Sequence, residues 1–207
     1  MTLFSIQNLH ILDSAAIRLD LCRGDCLAIT GPSGSGKSLF LRALADLDPH
    51  DGEIRLEGKP LESYAPWQWR RQVGYLPAES SWWLARVADH FPGQAVHLYQ
   101  QLAEVGLSAD IIKSPPHRLS SGERQRLSLL RLLQNQPRVL LLDEPTANLD
   151  HQSSALVERL LQTYRSTHGC VLLWVSHDRE QAARVANRHL HFSRQGVWVE
   201  QTATGGT

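Results

Sequence analysis

The sequence predicts an α/β protein in which helices cover both faces of a mainly parallel sheet. Strand-like and helix-like segments alternate along its 207 residues. Two strand-like segments, RVLLLDE from Arg138 and CVLLWVS from Cys170, are apolar almost without interruption. Such runs are typical of parallel strands that are buried on both faces, and they favour this fold class over an open antiparallel sheet.

The other elements follow in chain order. AIRLDL, from Ala16, alternates with period two and predicts a half-buried strand, and the apolar run CLAITG predicts a second strand that ends in glycine. A glycine-rich turn precedes a helix through SLFLRALADL, and EIRLEG and VGYLP predict two further strands. HQSSALVERLLQTYRSTHG is an amphipathic helix that stops at Gly169, and a last helix is expected from Asp178.

Composition excludes several kinds of protein. Lys plus Arg and Asp plus Glu both number 21, so no net charge indicates a nucleic-acid or membrane-surface partner. No apolar run is long enough to span a bilayer, and MTLFSIQNLHIL lacks the basic start of a signal peptide. Cys22, Cys26 and Cys170 lack disulfide or metal-site spacing, so reduced thiols in a cytosolic protein are expected.

GPSGSGKS follows an apolar strand and opens a helix, and it fits the phosphate-loop pattern at every fixed position. The glycines let the backbone wrap a polyphosphate with its N–H groups pointing inward, where the helix dipole also favours an anion. Lys37 is expected to reach the β- and γ-phosphates, and Ser38 to ligate Mg²⁺. The candidate triphosphate-binding residues are Gly31, Pro32, Ser33, Gly34, Ser35, Gly36, Lys37 and Ser38.

The run RVLLLDEP carries two acidic residues to the end of a buried strand. Ligands of α/β sheets bind at the carboxyl ends of the strands. Asp143 is therefore a candidate for the Mg²⁺ shell, and Glu144 for orienting a water for attack on the γ-phosphate. Acidic residues often end strands, so this pair alone does not indicate a functional site. It becomes a candidate site because the chain also contains a phosphate loop.

The stretch LSSGERQRLSLLRLL begins with Ser120 and Glu123 in the spacing of a helix capping box. A Ser-Ser-Gly turn at a helix N-terminus is also an anion site. The residues alone leave both interpretations open, and both can hold at once.

Together with RVLLLDEPTANLD and VLLWVSHD, these stretches stand in the order and spacing of ATP-binding-cassette (ABC) ATPases, which the chain resembles over nearly its whole length. The resemblance implies a head-to-tail dimer with two ATPs at the interface. It implies that Ser120 and the Gly122 backbone contact the γ-phosphate held by the other subunit. It also implies that Glu144 is the general base, that His177 contacts the γ-phosphate and that Asp150 links the two sites.

The resemblance further implies a single domain over residues 1–207. Residues 1–78 and 119–207 would form the nucleotide-binding core, a phosphate-loop NTPase sheet with an antiparallel β subdomain at its N-terminal end. Residues 79–118, expected to be mostly helical, would form a small helical subdomain. ATP and Mg²⁺ are the implied cofactors. The implied partner is a membrane permease, which would hold the protein on the cytoplasmic face of the inner membrane.

The chain departs from the family pattern at several places. The family has a Gln after the strand that here reads VGYLP, where this chain has Ala78 and then Glu79. We expect water to fill the place of the missing amide and basal hydrolysis to be slow. Ser121 replaces a usual glycine, and Glu123 a common Gln. The family stacks an aromatic ring on adenine, and here only His10 and the more remote Phe4 are candidates.

Three function classes remain. The ATPase subunit of a transporter with a separate permease is favoured by the single cassette, and its short helical region is similar to that of bacterial iron-export ATPases. A soluble cassette ATPase acting on ribosomes or DNA usually carries paired cassettes, coiled-coil insertions or basic arms. A weakly hydrolysing nucleotide-binding module is favoured by Ala78, but the presence of Lys37, Asp143, Glu144 and His177 argues against it.

Four of the six tryptophans lie between Trp67 and Trp83. Large aromatic residues usually fill a core. Adjacent side chains diverge by about 100° or more, so Trp82 and Trp83 cannot both face one core. We therefore expect one of them to be exposed and, with Leu84 and Arg86, to receive the permease's cytoplasmic helix.

Overall fold

The computed structural model describes residues 1–11, 16–91, 95–193 and 198–202, with the backbone alone at 95–97 and 198–202. Its ten strands form two sheets. The strands are β1 (Thr2–Leu9), β2 (Ile17–Cys22), β3 (Cys26–Thr30), β4 (Glu53–Leu56), β5 (Lys59–Pro60), β6 (Val73–Leu76), β7 (Val139–Asp143), β8 (Val171–Val175), β9 (Arg188–Phe192) and β10 (Trp198–Thr202). The described helices are α1 (Lys37–Leu44), α2 (Pro66–Gln72), α3 (Ala95–Glu104), α4 (Ser121–Leu133), α5 (His151–His168) and α6 (Arg179–Val185).

The larger sheet has the strand order β10-β9-β3-β8-β7-β6. All neighbours in it are parallel except β10, which runs antiparallel to β9. Every residue of β7 and β8 is buried, as their continuous apolar sequences predict. The smaller sheet, β2-β1-β4-β5, is antiparallel. The α/β fold with an antiparallel β subdomain is therefore confirmed.

Apolar side chains pack on both faces of the larger sheet. Leu141 and Leu173 point to the face that carries α1 and the smaller sheet. Leu140 and Leu172 point to the opposite face, where Val157 of α5 and Leu129 of α4 cover them. This alternation, which is the period of a strand, divides the core into two layers.

The region 79–118 has less helix than the sequence predicts. Within its described residues it holds one α-helix, α3, and short 3₁₀ helices at Ala88–His90, Ala109–Lys113 and Pro116–Arg118. Residues 79–87 form no helix. A third apolar cluster joins this region to α4, since Val87, Leu102 and Leu107 pack with Leu127 and Leu130. The region therefore shares its core with α4.

None of the helices in the described ranges is both long and apolar enough to cross a membrane.

Candidate functional site

The candidate residues gather at one edge of the larger sheet. The loop 31–38 follows β3, Asp143 ends β7, and His177 lies two residues beyond β8. Because β3, β8 and β7 are adjacent and parallel, their carboxyl ends meet at the same edge. This is the edge where ligands of such sheets bind.

The backbone of the phosphate loop requires glycine at two positions, Gly31 and Gly36. Gly31 has φ 145°, and a Cβ there would lie 2.3 Å from the carbonyl oxygen of Phe192 on β9. Gly36 has φ 94° and is the N-cap of α1. Any other residue would be strained at Gly36 and would also collide with β9 at Gly31.

Lys37 lies inside the loop rather than in solvent. Its Nζ donates hydrogen bonds to the carbonyl oxygens of Gly31 and Pro32, both at 2.9 Å. Burial lowers the pKa of Lys37, while the negative charges of Glu144 and Asp143 act against that shift. The ammonium group thus lies near both carboxylates, as the motif order predicts. Around it, Ser33, Gly34 and Ser38 are exposed.

Asp143 is buried at the end of β7. Its Oδ2 accepts a hydrogen bond from the hydroxyl of Tyr75 on the neighbouring strand β6, at 3.1 Å. Burial, together with the adjacent Asp143, raises the pKa of Tyr75, which therefore remains a donor at neutral pH. Tyr75 could not be predicted as a site residue from the sequence, because only the strand order shows that VGYL lies beside RVLLLD.

Glu144 and His177 are in direct contact, since Oε1 of Glu144 lies 2.8 Å from Nε2 of His177. Glu144 has φ 50°, a left-handed conformation that is uncommon for a residue with a side chain. Strain of this kind persists only where the surroundings hold it, and it concentrates at functional sites. Asp178 separately caps α6 by accepting from the backbone of Glu180 and Gln181, so it serves the local role expected of a helix start.

Ser120 and Glu123 form the predicted capping box of α4. The Ser120 hydroxyl oxygen accepts from the Glu123 amide, and the Glu123 carboxylate accepts from the Ser120 amide. A Cβ on Gly122 would meet Leu149 at 3.0 Å and the Asn148 carbonyl oxygen at 3.1 Å. The turn therefore lies against the segment after Glu144. Among the described residues, no hydrogen bond joins it to the phosphate loop.

Asp150 is the N-cap of α5. Its carboxylate accepts from the amide of Ser153 at 2.8 Å and from the hydroxyl of the same residue at 3.0 Å. These hydrogen bonds from Ser153 lower the pKa of Asp150. Within one chain, Asp150 therefore stabilises the start of a helix.

Ala78 and Glu79 line an open cavity of about 410 Å³. Glu79 is exposed to solvent, while Ala78 is half-buried. Across the cavity, Gln125 of α4 donates a hydrogen bond to the carbonyl oxygen of Pro77 at 3.4 Å. The place where the family has a glutamine is thus a space bounded by polar groups, with room for water.

Trp82 and Trp83 differ in exposure, as their adjacency predicts. Trp83 is 70% exposed, whereas Trp82 is half-buried and packs against the third apolar cluster. The guanidinium of Arg131 lies over both rings, 4.5 Å and 4.9 Å from their centroids. We call residues 79–91 the tryptophan segment.

His90 holds the tryptophan segment from inside. Its buried ring accepts the backbone N–H groups of Trp83 and Leu84 on Nε2, at 3.2 and 3.1 Å. Its Nδ1 donates to the carbonyl oxygen of Arg86 at 3.1 Å. This segment therefore takes its shape from side-chain contacts with its own backbone and with α4.

The two candidates for stacking on adenine differ in exposure. Phe4 is fully buried in β1 and packs against Trp69, so the structure excludes it. It points to the face of the smaller sheet that packs on the core layer of Phe40 and Leu41 of α1. His10 lies 3.7 Å from Asp51 at the surface. Residues 12–15, which follow soon after it in the sequence, lie outside the described residues.

Comparison with known proteins agrees with this geometry. A family profile described as "ABC transporter" matches residues 15–147. The probable iron export ATP-binding protein FetA of Escherichia coli K12 is 34% identical over 86% of each chain. The aliphatic sulfonates import ATP-binding protein SsuB 2 of Agrobacterium fabrum is 36% identical over 89% of this chain and 71% of its own.

A solved structure shares the fold. It is a dimeric, post-hydrolysis state of the ATP-binding cassette MJ0796 bound to ADP and Pi, with a TM-score of 0.83 and 21% identity. It covers 98% of this chain and 100% of its own. With the family profile and the two relatives, the conclusion is that this chain belongs to the ABC transporter family and is an ATP-binding ATPase of that family.

Proposed function

We propose that this chain is the ATP-hydrolysing subunit of a bacterial transporter and acts on a separate membrane permease. The observation that carries the proposal is the contact of Glu144 with His177 at the sheet edge, near Lys37. Both relatives are named as ATP-binding proteins of transport systems, one for iron export and one for sulfonate import. They differ in cargo and direction, so the proposal extends to transport and not to a substrate.

The residues present fit a magnesium–triphosphate complex. The Ser35 hydroxyl is buried without a hydrogen-bond partner among the described residues, as expected of a donor kept for a ligand. Ser38 is exposed, and Asp143 offers an oxygen beyond the one that Tyr75 occupies. Ser38 and Asp143 would hold Mg²⁺, which supplies positive charge to the phosphates when bound. Protein sites for this ion commonly use few side chains and complete the shell with water and phosphate.

In the proposed chemistry, Glu144 takes a proton from the attacking water as the bond between the γ-phosphorus and the ADP oxygen breaks. His177 is suited to orient that carboxylate, because its Nε2 faces Oε1 of Glu144. That contact applies before ATP binds; when ATP is bound, the same N–H would donate to the γ-phosphate instead, which leaves the Glu144 carboxylate free to accept the proton of the water. Lys37 would exchange its bonds to Gly31 and Pro32 for bonds to the β- and γ-phosphates.

The proposal includes a head-to-tail dimer in the ATP-bound state. Ser120 is exposed at the N-terminus of α4, where its hydroxyl accepts from the Glu123 amide and donates to the Glu123 carboxylate at 2.9 Å. On contact with another subunit, the hydroxyl would exchange its bond to Glu123 for one to the phosphate. In the dimer, Ser120 and the Gly122 backbone would contact the γ-phosphate on the phosphate loop of the partner. Asp150 would lie between the two sites.

The permease would dock on the tryptophan segment. Trp83 is exposed, and its neighbours Leu84 and Arg86 are exposed with it. Aromatic and arginine side chains of this kind anchor interfaces. The half-buried Trp82 would support them from below. This docking would place the chain on the cytoplasmic face of the inner membrane, with no nucleic acid as partner.

A slowly hydrolysing nucleotide-binding module is the second candidate. It is favoured by one observation, the cavity at Ala78 where the family has an amide that meets the attacking water. The two candidates differ in turnover and not in ATP binding.

The test of the proposed function is Glu144→Gln. The amide fills the same space but takes no proton, so hydrolysis should fall by about 10²–10⁴-fold while ATP binding stays. The stalled protein should form dimers in Mg-ATP, because the nucleotide remains part of the interface. Turnover assays and size-exclusion chromatography with and without Mg-ATP measure both effects.

Glu62→Gln is the matched control, since Glu62 is an exposed carboxylate in the 3₁₀ helix Leu61–Ser63, before α2. It should change neither turnover nor oligomeric state. A Glu144→Gln protein that turns over at the parent rate would contradict the assignment of the base, and one that stays monomeric in Mg-ATP would contradict the dimer.

A further inference from the structure

A buried polar cluster lies behind Glu144 and His177. It joins four segments of the chain at one side chain, the amide of Gln181 on α6, which is 6% exposed. The Gln181 oxygen accepts from the Ser176 hydroxyl at 2.9 Å, and its nitrogen donates to Oε1 of Glu158 at 2.8 Å. The nitrogen also lies 2.9 Å from the hydroxyl oxygen of Thr146.

The orientation of this amide is fixed by its partners. A carboxylate only accepts hydrogen bonds, so the Gln181 nitrogen must face Glu158 and the oxygen must face Ser176. Arg184 holds Glu158 in turn through two hydrogen bonds of 2.9 and 2.8 Å. Burial would raise the pKa of Glu158, but the hydrogen bonds from Arg184 and Gln181 outweigh it and lower the pKa. The carboxylate is thus charged at neutral pH and keeps the amide in one orientation.

The hydroxyl partners of Gln181 stand directly beside the candidate catalytic residues. Thr146 comes two residues after Glu144, and Ser176 comes immediately before His177. The Ser176 amide also donates to the carbonyl oxygen of Ile29 on β3, at 3.2 Å. One side chain therefore ties the segment after β7 to the segment after β8.

Apolar packing does not provide this link. A cavity of about 620 Å³ opens beside the cluster, and Glu144, His177, Thr146 and Gln181 all line it. Residues beside an open space can shift, unlike those in a close-packed interior. Glu144 is nevertheless held at φ 50° and 2.8 Å from His177. The hydrogen bonds of Gln181 are therefore suited to hold the two segments beside this cavity.

We propose that Gln181 is a positioning residue for ATP hydrolysis. It fixes Thr146 and Ser176 so that the segments that carry Glu144 and His177 keep their positions at the sheet edge. This inference rests on the roles proposed above for Glu144 and His177. Gln181 acts through its two neighbours and contacts neither the nucleotide nor the water itself.

The chemistry of the amide is specific. The amide offers a donor to Glu158 and an acceptor to the Ser176 hydroxyl at the same time. Gln181→Met keeps length and apolar volume but removes both functions. Gln181→Glu keeps the acceptor but sets a second carboxylate against Glu158, where like charges repel.

The first measurement is steady-state hydrolysis by Gln181→Met. A misplaced base costs on the order of 10²-fold in rate, so kcat should fall by about that factor while KM for ATP and ATP affinity stay within about twofold. Gln101→Met on α3 is the matched control, because it makes the same substitution far from the cluster, and its kcat should be unchanged. Unchanged kcat in Gln181→Met would overturn the proposal.

A second pair of variants tests the same cluster in case Gln181→Met does not fold. Thr146→Val removes one hydroxyl of the cluster without touching α6, and Thr146→Ser restores it. We expect kcat to fall in the first and to recover in the second, with equal ATP affinity in both. If kcat and ATP affinity instead fall together with the folded fraction in every variant, Gln181 has only a structural role and the proposal fails.

The double variant Glu144→Gln/Gln181→Met separates this inference from the proposed function. Residues that act as a unit are not additive, so Gln181→Met should cause no further loss once Glu144 is an amide. If Glu144→Gln alone hydrolyses ATP normally, the base has been assigned wrongly. If Glu144→Gln stalls but Gln181→Met keeps the parent rate, the base is right and the positioning role is wrong.

Discussion

The phosphate loop and the tryptophan segment both follow buried strands, but their shapes have different origins. The loop after β3 is bent by its own glycines, with positive φ at Gly31, Gly34 and Gly36, and its lysine bonds to its own carbonyl groups. The tryptophan segment after β6 is held by the ring of His90 and by Arg131 of α4. The first shape is local, whereas the second depends on a distant helix.

The difference teaches which kind of pattern predicts conformation. A motif whose residues are chosen for backbone geometry carries its structure with it, so GPSGSGKS is readable from the sequence. Aromatic residues act through their side-chain contacts and place little restriction on the backbone. The adjacent tryptophans therefore predicted that one of them is exposed, but not the backbone conformation of the segment. Residues 79–118 are expected from the sequence to be mostly helical, yet residues 79–87 form no helix and only the short 3₁₀ helix Ala88–His90 follows directly.

Among variants of these two regions, the largest effect is expected from a substitution in the phosphate loop. Lys37→Ala removes a charged donor from the loop, and hydrogen bonds to charged groups contribute about 2–3 kcal/mol, so ATP affinity should fall on the order of 10²-fold. Titration calorimetry with ATP measures the loss. Lys59→Ala, which removes an exposed lysine that lies over the Tyr64 ring, is the control and should bind ATP normally. Parent-like affinity in Lys37→Ala would refute the loop's role.

The next effect separates the two tryptophans. Trp82→Ala should lower the free energy of unfolding by about 2 kcal/mol, less than a fully buried Trp would cost. Trp83→Ala should lower it by about 0.5 kcal/mol, since the ring is largely exposed. Urea unfolding of both variants measures the contrast.

Partner binding should show the reverse order. Trp83→Ala should cost about 2 kcal/mol of affinity for the permease, with basal ATPase unchanged. Where the neighbouring gene encodes a membrane protein, that protein, reconstituted in nanodiscs, is the binding partner to use. Trp67→Ala is the control, because Trp67 is equally exposed but lies on α2. If Trp83→Ala loses stability but keeps its affinity for the permease, both tryptophans belong to the hydrophobic core, and the proposal that the permease docks on them is wrong.

The smallest effect is expected at Ala78 and Glu79, where the tryptophan segment begins. Glu79 is exposed, so Glu79→Ala should leave basal ATPase within about twofold. Ala78→Gln should raise basal ATPase, because the amide would occupy the cavity and could orient water. If Glu79→Ala abolishes hydrolysis while ATP affinity is kept, Glu79 replaces the missing glutamine and the expectation of a water-filled place is wrong.

Much of the fold could be predicted because its signals are local. The apolar runs of β7 and β8, the capping box at Ser120 and the glycine that ends α5 each act within a few residues of where they stand. The exclusion of Phe4 as a candidate for stacking on adenine has the opposite origin. Which face of a strand is buried depends on what packs against the sheet, and Phe4 of β1 packs against Trp69 of α2, which lies far along the chain.

The sequence by itself determined the α/β class, the phosphate loop and the placement of Asp143, Glu144 and His177 at strand ends, because backbone propensities and strand periodicity are properties of neighbouring residues. The tertiary structure alone decided that Glu144 meets His177, that Tyr75 donates to Asp143 and that Gln181 joins Thr146 to Ser176. These contacts depend on which strands are neighbours and how α6 lies beside them. That arrangement minimises the free energy of the whole chain, and no short stretch of residues contains it.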